Sequence, residues 1–271
     1  MSMECQQTDQ RLESRMSQIS QKLLVLSGKG GVGKSTVAVN LALALQRAGK
    51  KVGLLDVDVH GPSVPTMLRL SDRPVPIDEQ NLLPVMYRGH LPVMSIGLFL
   101  DSSDSAVVWR GPMKYSAIEQ LLRDTEWGQL DHLVVDCPPG TGDEPLSVIQ
   151  MMHPTAADGA VIVTTPQDLA LVDVRRSIRF CQLLKLRILG VVENMDGFTC
   201  PNCGSHYNIF SSGGGRELAA KFKVPFLGSL PIDPAVVECG DSGAPVVESH
   251  PDSVPAQSFA QMAAILAGRQ Q

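Results

Sequence analysis

Nine residues, Gly28-Lys29-Gly30-Gly31-Val32-Gly33-Lys34-Ser35-Thr36, set the tightest limit on what this chain folds into. They fit G-x-x-x-x-G-K-[ST] and lie between an apolar run, Lys22 to Ser27, and a helix-period stretch from Lys34 to Ala48 that Gly49 stops. Strand, glycine loop and helix in that order are the context of a phosphate-binding loop. Glycines let backbone N–H groups turn inward around phosphate oxygens, and the helix N-terminus adds partial positive charge. Lys34 is then placed to reach β- and γ-phosphate oxygens and Ser35 to ligate Mg²⁺. Gly28, Lys29, Gly30, Gly31, Val32, Gly33 and Thr36 complete the expected nucleotide contacts.

The alternation continues down the chain. Val52 to Asp56, His132 to Asp136, Gly159 to Thr165, Ile188 to Asn194 and Pro225 to Pro231 read as buried strands. Helical periodicity fills the intervals near Lys114 to Asp124, Glu144 to Met152, Asp168 to Leu184, Gly215 to Phe222 and Ala256 to Leu266. Near-continuously apolar strands separated by helices predict an α/β, doubly wound, mostly parallel sheet of the P-loop NTPase kind, with ligands at the carboxyl ends of the strands. One stretch departs from the rhythm: six prolines between Pro62 and Pro92 suit an irregular excursion or a short antiparallel edge. Residues 1–20 are expected as a polar N-terminal arm or loose helix, and residues 21–271 as the ATPase domain.

Composition narrows the partners. With 44% hydrophobic and 19% charged residues the chain is too apolar for disorder, yet no apolar run approaches the roughly 18 to 20 residues that span a bilayer. The first twenty residues lack an apolar core of the secretory type, so a cytoplasmic protein without a signal peptide is expected. A net charge of −5 and the absence of any Lys/Arg block argue against nucleic acid as a partner. The C-terminal stretch from Ser258 to Arg269 carries a single positive charge, too little for membrane anchoring. Of six cysteines (Cys5, Cys137, Cys181, Cys200, Cys203, Cys239), only Cys200 and Cys203 are closely spaced, which suggests metal or redox chemistry instead of a disulfide framework.

Two carboxylate motifs follow strands. Asp56-Val57-Asp58 comes one βα unit after the glycine loop, where a carboxylate can orient an attacking water or hold a metal-bound one, and both aspartates are candidates. Asp136 ends another strand, where a carboxylate contacts Mg²⁺ through water. Behind it, Pro138-Pro139-Gly140-Thr141-Gly142-Asp143 forms a stiff-then-flexible loop suited to a nucleotide-dependent switch.

Lys29, a second lysine inside the loop, resembles the deviant Walker A class of MinD, ParA and the nitrogenase iron protein. In that class the early lysine crosses a dimer interface to the partner's nucleotide. The run Trp127-Gly128-Gln129-Leu130-Asp131-His132-Leu133-Val134-Val135-Asp136, continuing through Pro138 to Asp143, is similar to the signature of the Mrp family of iron-sulfur cluster carrier ATPases. Trp109-Arg110-Gly111-Pro112-Met113 and Asp56 to Ser63 fit it too, and the likeness runs from about Lys22 to Phe259. The resemblance implies an ATP hydrolase that dimerises around ATP and Mg²⁺. It also implies a labile [4Fe-4S] cluster passed to apo iron-sulfur proteins, with Lys29, Lys34 and Asp58 in catalysis. Asn194, Pro231 and Asp233 match positions that contact the adenine base in the deviant Walker A class.

The C-x-x-C of the Mrp family falls on Cys200-Pro201-Asn202-Cys203. A four-thiolate site needs two more ligands, and a two-fold homodimer places the same patch on both subunits, so one pair from each chain closes it. Residue chemistry leaves open an intrachain zinc knuckle with His206 and Cys239, a dithiol, or an unliganded pair. A rival reading is a MinD/ParA-type positioning or partitioning ATPase with structural zinc at this motif. Relatives with an N-terminal cluster carry four cysteines there; this sequence has Cys5 alone, so none is expected.

Overall fold

The computed structural model describes residues 3–78, 80–99 and 111–268. Helix α1 (Met3–Ser17) leads into strand β1 (Ile19–Ser27), and α2 (Lys34–Arg47) returns the chain to β2 (Val52–Asp56). After α3 (Val64–Met67), β3 (Val75–Pro76) pairs with β4 (Leu82–Leu83), and β5 (Val85–Tyr87) turns antiparallel into β6 (Leu91–Ser95). Then follow α4 (Gly111–Asp124), β7 (Leu130–Asp136), α5 (Asp143–Met151), β8 (Gly159–Thr164), α6 (Asp168–Leu183), β9 (Ile188–Thr199) and β10 (His206–Tyr207). The chain closes with α7 (Gly214–Phe222), β11 (Phe226–Ile232), α8 (Pro234–Ser242), α9 (Val246–Ser249) and α10 (Val254–Ala267).

Nine strands form the main sheet in the order β10-β9-β8-β1-β7-β2-β6-β5, with β11 pairing parallel to β9. Only β5 and β10 run antiparallel to their neighbours among these described strands. Strand β1 lies between β7 and β8, so its helix leads to β2 on one side while α5 carries the chain from β7 across to β8 on the other. Connections diverging in this way leave a crevice at the carboxyl ends of the central strands.

Successive side chains of β1 point to opposite faces, which is why one apolar strand feeds two cores. Leu23 and Val25 pack with Val37, Leu41 and Leu45 of α2 and with Phe259, Met262 and Leu266 of α10. Leu24 and Leu26 join the opposite core, with Leu122 of α4, Val148 of α5, Ile178 of α6 and Leu218 of α7. Helix α2 is buried along most of its length, and Asn40 resolves the polar cost: its Nδ2 donates to Thr36 O at 2.9 Å while its Oδ1 accepts the Val247 amide at 3.3 Å.

Three parts differ from the sequence expectation. The segment read as an arm or loose helix is helix α1, docked instead of loose, and β1 already starts at Ile19. The reason is tertiary: Leu12 and Met16 are buried in the second core, and Arg15 pairs with Glu126 and donates to Asn81 Oδ1 at 2.6 Å. The proline-rich excursion does contain an antiparallel edge, but β6 within it pairs parallel with β2, a βαβ-type partner that Pro92 obscured. Helices α8 and α9, absent from the sequence reading, fill the space between β11 and α10.

The docking of α1 is directly testable. Removing a buried leucine side chain leaves a cavity, so Leu12→Ala should lower the unfolding free energy in urea by about 2–4 kcal/mol. A detached arm would leave the midpoint unchanged.

Candidate functional site

The carboxyl edge of the sheet is where the sequence motifs meet. Gly33 caps α2 with φ +82°, a left-handed conformation, and a Cβ there would lie 2.2 Å from Asn194 Nδ2. Glycine is required on both counts. Immediately after it, Lys34 is 6% exposed, with its ammonium 2.5 Å from Asp136 Oδ1 and 3.3 Å from Asp58 Oδ2. Burial works against that charge, but Asp136, Asp58 and Asp56 outweigh it and hold the lysine above its usual pKa.

Parallel register brings the carboxylates together. Asp56 lies opposite Asp136 across β2 and β7, and opposite Ser95 across β2 and β6. The Asp56 carboxylate accepts the amides of Asp58 (3.1 Å) and Val64 (3.3 Å) and the Ser95 hydroxyl (2.9 Å). Asp136 is buried, and its Oδ2 has no partner among the described residues. An orphaned carboxylate oxygen close to the Ser35 side chain is the kind of donor set a hard divalent cation takes. The loop after Asp136 hangs on β1, with the Cys137 amide donating to Val25 O (3.2 Å) and the Gly140 amide to Ser27 O (2.8 Å). Lys29 is half-buried, and its carbonyl accepts the Ser27 hydroxyl at 2.9 Å.

The expected adenine side lies at the ends of β9 and β11. Asn194 Nδ2 donates to Val32 O of the glycine loop at 2.9 Å, and Asn194 pairs in register with Leu230, next to Pro231. The Asp233 carboxylate caps α8 by accepting the Ala235 amide at 2.9 Å.

Cys200 and Cys203 occupy the turn of a β-hairpin. Strand β9 runs on past Asn194 to Thr199, where β10 returns against it, and the Cys200 and Gly204 amides close the turn on Ser205 O and Cys200 O. Cys200 is half-buried and Cys203 exposed. Hydrogen bonds from the Ser205 hydroxyl and amide, and then from Cys200, hold the Cys203 thiol below its usual value, with Cys203 Sγ 3.3 Å from Ser205 Oγ. Gly197 has φ +76°, and His206 Cε1 lies 2.6 Å from where its Cβ would be, so both the backbone and the space call for glycine.

A third ligand from the same chain does not assemble around the pair. Both His206 ring nitrogens are engaged, with Thr199 Oγ1 (3.2 Å) and Asn208 Oδ1 (3.1 Å). Cys239 is buried on α8 with its sulfur 3.4 Å from His250 Nδ1. Among the described residues no group of three or more His, Cys, Asp or Glu side chains is placed to hold a metal ion by itself. Burial raises the Cys137 and Cys181 thiols, the latter to about 12, and both side chains are part of the second core. Trp109, Arg110 and the side chain of Cys5 lie outside the described residues. Sequence reasoning missed Ser95, and it passed over Glu144, whose partner is His60. Only tertiary register reveals either one.

Strand order, glycine loop and paired carboxylates define a P-loop nucleotide-binding protein of the doubly wound type. Residues 18–267 match the family described as the NUBPL iron-transfer P-loop NTPases, and the chain belongs to that family. It is 51% identical over 233 residues to the cytosolic Fe-S cluster assembly factor NUBP2 of Bos taurus, covering 85% of this chain and 86% of that protein. The Homo sapiens protein of the same name is 50% identical over the same shares. Among solved structures, the nucleotide-binding protein of Archaeoglobus fulgidus in complex with ADP superposes with a TM-score of 0.76 at 40% identity, covering 87% of this chain and 91% of that one. The cell division ATPase MinD of Pyrococcus furiosus, with a TM-score of 0.68 at 24% identity, covers 92% of this chain and 99% of its own and shares the fold. Among the described residues no helix is long and apolar enough to cross a membrane.

The carboxylate cluster makes a pH prediction. Asp56 is pushed up to about 8, first by burial and then by the Asp136 charge. A carboxyl group held above its unfolded value of 3.8 contributes stability that is complete below that value and is lost as pH rises toward about 8. Urea midpoints of the nucleotide-free protein should therefore fall between pH 4 and about 8, and Asp56→Asn should flatten the fall. Parallel wild-type and variant profiles would contradict this assignment.

Proposed function

We propose that the chain is a cytosolic, ATP-hydrolysing carrier of a labile [4Fe-4S] cluster, acting as a homodimer that passes the cluster to apo iron-sulfur proteins. Nucleotide binding and membership of an iron-transfer NTPase family are its starting point. One observation supports the cluster reading most: Cys200 and Cys203 stand together at an accessible hairpin turn, where the described part of one chain offers two thiols and no third ligand. A two-fold axis past that turn supplies four thiolates. Turned to the same reading, the relatives named as cytosolic Fe-S cluster assembly factors favour iron over structural zinc.

The chain's residues divide the ATPase work. Backbone amides from Gly28 to Thr36 cradle the phosphates, and Lys34 exchanges Asp136 and Asp58 for phosphate oxygens. Ser35 and Asp136 would hold Mg²⁺, which neutralises charge on the phosphates. Asp58 orients the water that attacks the γ-phosphorus, and half-exposed Lys29 reaches toward the partner's nucleotide. Asn194 and Pro231, with Asp233 behind them, frame the adenine side.

Anaerobic purification with iron, sulfide and zinc assays tests the cargo. About two irons and two sulfides per chain are expected, one four-iron cluster per dimer, with a broad visible absorption that Cys200→Ala/Cys203→Ala abolishes. Zinc without sulfide would overturn the proposal. Lys34→Ala should reduce ATP turnover by about 100-fold or more, since the transition-state charge loses its main cation. If ATP binding and cluster transfer both survive that change, the mechanism is wrong.

A further inference from the structure

A closed ring of contacts surrounds the carboxylate cluster, and its outer half plays no part in the chemistry described so far. On the inner side, Lys34 Nζ joins Asp136 Oδ1 at 2.5 Å to Asp58 Oδ2 at 3.3 Å. On the outer side, the backbone amide of His60 donates to Asp58 Oδ1 at 3.3 Å, and His60 Nε2 lies 2.8 Å from both Glu144 oxygens. Glu144 sits in the first turn of α5, at the far end of the loop that Asp136 begins. Both ends of that loop are therefore tied to the loop after β2, one through Lys34 and one through His60.

The loop after β2 is anchored in a particular way. Its base is closed by the Asp56 carboxylate, which accepts the Asp58 and Val64 amides at either end. His60 stands between those ends, where its ring reaches across to α5. A carboxylate only accepts hydrogen bonds, so Nε2 carries the hydrogen, and the contact holds for the neutral ring and the imidazolium alike. The His60 side chain is 58% exposed, and an exposed pair of this kind adds little to global stability. Its significance is positional.

We infer that His60 and Glu144 form a clamp that positions Asp58 for the hydrolytic step. When phosphate draws Lys34 away from Asp58 and Asp136, the inner tie between the two loops opens. The outer tie stays closed and keeps the Asp58 carboxylate at a fixed distance from the start of α5. His60 acts twice in this, through the amide that holds Asp58 Oδ1 and through the ring that holds the loop. Both residues are positioning residues, and the inference rests on the ATPase reading of Asp58.

Steady-state ATP hydrolysis by the full chain tests it, with His60→Ala, Glu144→Ala, the double variant and Glu144→Gln, which keeps an acceptor oxygen. Each alanine variant should lower kcat about tenfold while KM for Mg-ATP stays within about twofold, because misplacement of a positioned group acts on the chemical step. The double variant should fall no further than the worse single one, as expected of two halves of one contact, and Glu144→Gln should recover most of the loss. A rise in KM with kcat unchanged, or single effects that multiply in the double variant, would overturn the clamp. Should the wild type hydrolyse no ATP at all, the ATPase reading fails, and amide hydrogen exchange on the nucleotide-free chain decides the clamp by itself. Glu144→Ala should speed exchange from Asp58 to Gly61, on the opposite loop. Unchanged exchange there refutes the contact as a tie.

Discussion

Three carboxylates converge on one buried lysine, and the carboxyl edge of the sheet is arranged around that imbalance. Asp56 and Asp136 face each other by strand register, and Asp58 follows two residues later, so their proximity is built into the pairing of β2 with β7. Like charges held in a poorly solvated place must be neutralised by protons, donors or cations. Each of these appears. Asp56 is pushed toward its neutral form and takes the Ser95 hydroxyl and two amides, Asp58 and Asp136 share Lys34, and Asp136 Oδ2 has no partner among the described residues. A site so provided gains more from binding Mg²⁺ with a nucleotide than one already balanced would. In the proposed site, phosphate that draws Lys34 away leaves Asp136 short of a positive partner, and Mg²⁺ beside Asp136 would couple the two ligands electrostatically.

The same strand serves the nucleotide side and the thiols. Asn194 of β9 bonds the carbonyl of Val32, and six residues later the strand delivers Cys200 to the hairpin turn, a reach of about 20 Å if fully extended. The path is not fully extended. Met195 and Gly197 both have positive φ, and the pairing with β11 shifts between Leu230 and Ile232, so the strand is irregular between its inner and outer parts. A positive φ at Met195 is unfavourable for a non-glycine residue and is held by the surrounding pairing. A change in the glycine loop thus has a covalent and hydrogen-bonded route to the hairpin that carries the thiols.

What could be read from the chain followed from how local each signal is. The glycine loop, the apolar runs of the central strands and the aspartates at their ends are set by neighbouring residues, and all appear where their spacing put them. Strand β6 was hidden because Pro92 reads as a breaker, while its actual partner β2 lies some forty residues earlier in sequence. The docking of α1 was hidden because its polar sequence packs through only a few residues, Leu12, Met16 and Arg15 among them, against α4 and the turn at Glu126. The continuation of β9 to Thr199 depends on a hairpin whose second strand is two residues long. Ser95 and the His60–Glu144 contact were invisible for a different reason: neither belongs to a motif, and each matters only through the register or the crossing that brings it beside an aspartate.

The proposed cluster site follows the same logic of incompleteness as the nucleotide site. A hairpin turn that exposes two thiols, one of them eased toward the thiolate by Ser205, has half of a tetrathiolate and no means of completing it from the described part of its own chain. Completion by a symmetric partner makes metal affinity depend on how two protomers are placed, because each contributes only two of the four bonds. A fully intrachain site would bind its metal whatever the partner did. A shared one loosens when the protomers shift. In the proposed homodimer, carriage and release would be two positions of one assembly, and the charge balance around Lys34 is the part of each protomer that a nucleotide would change.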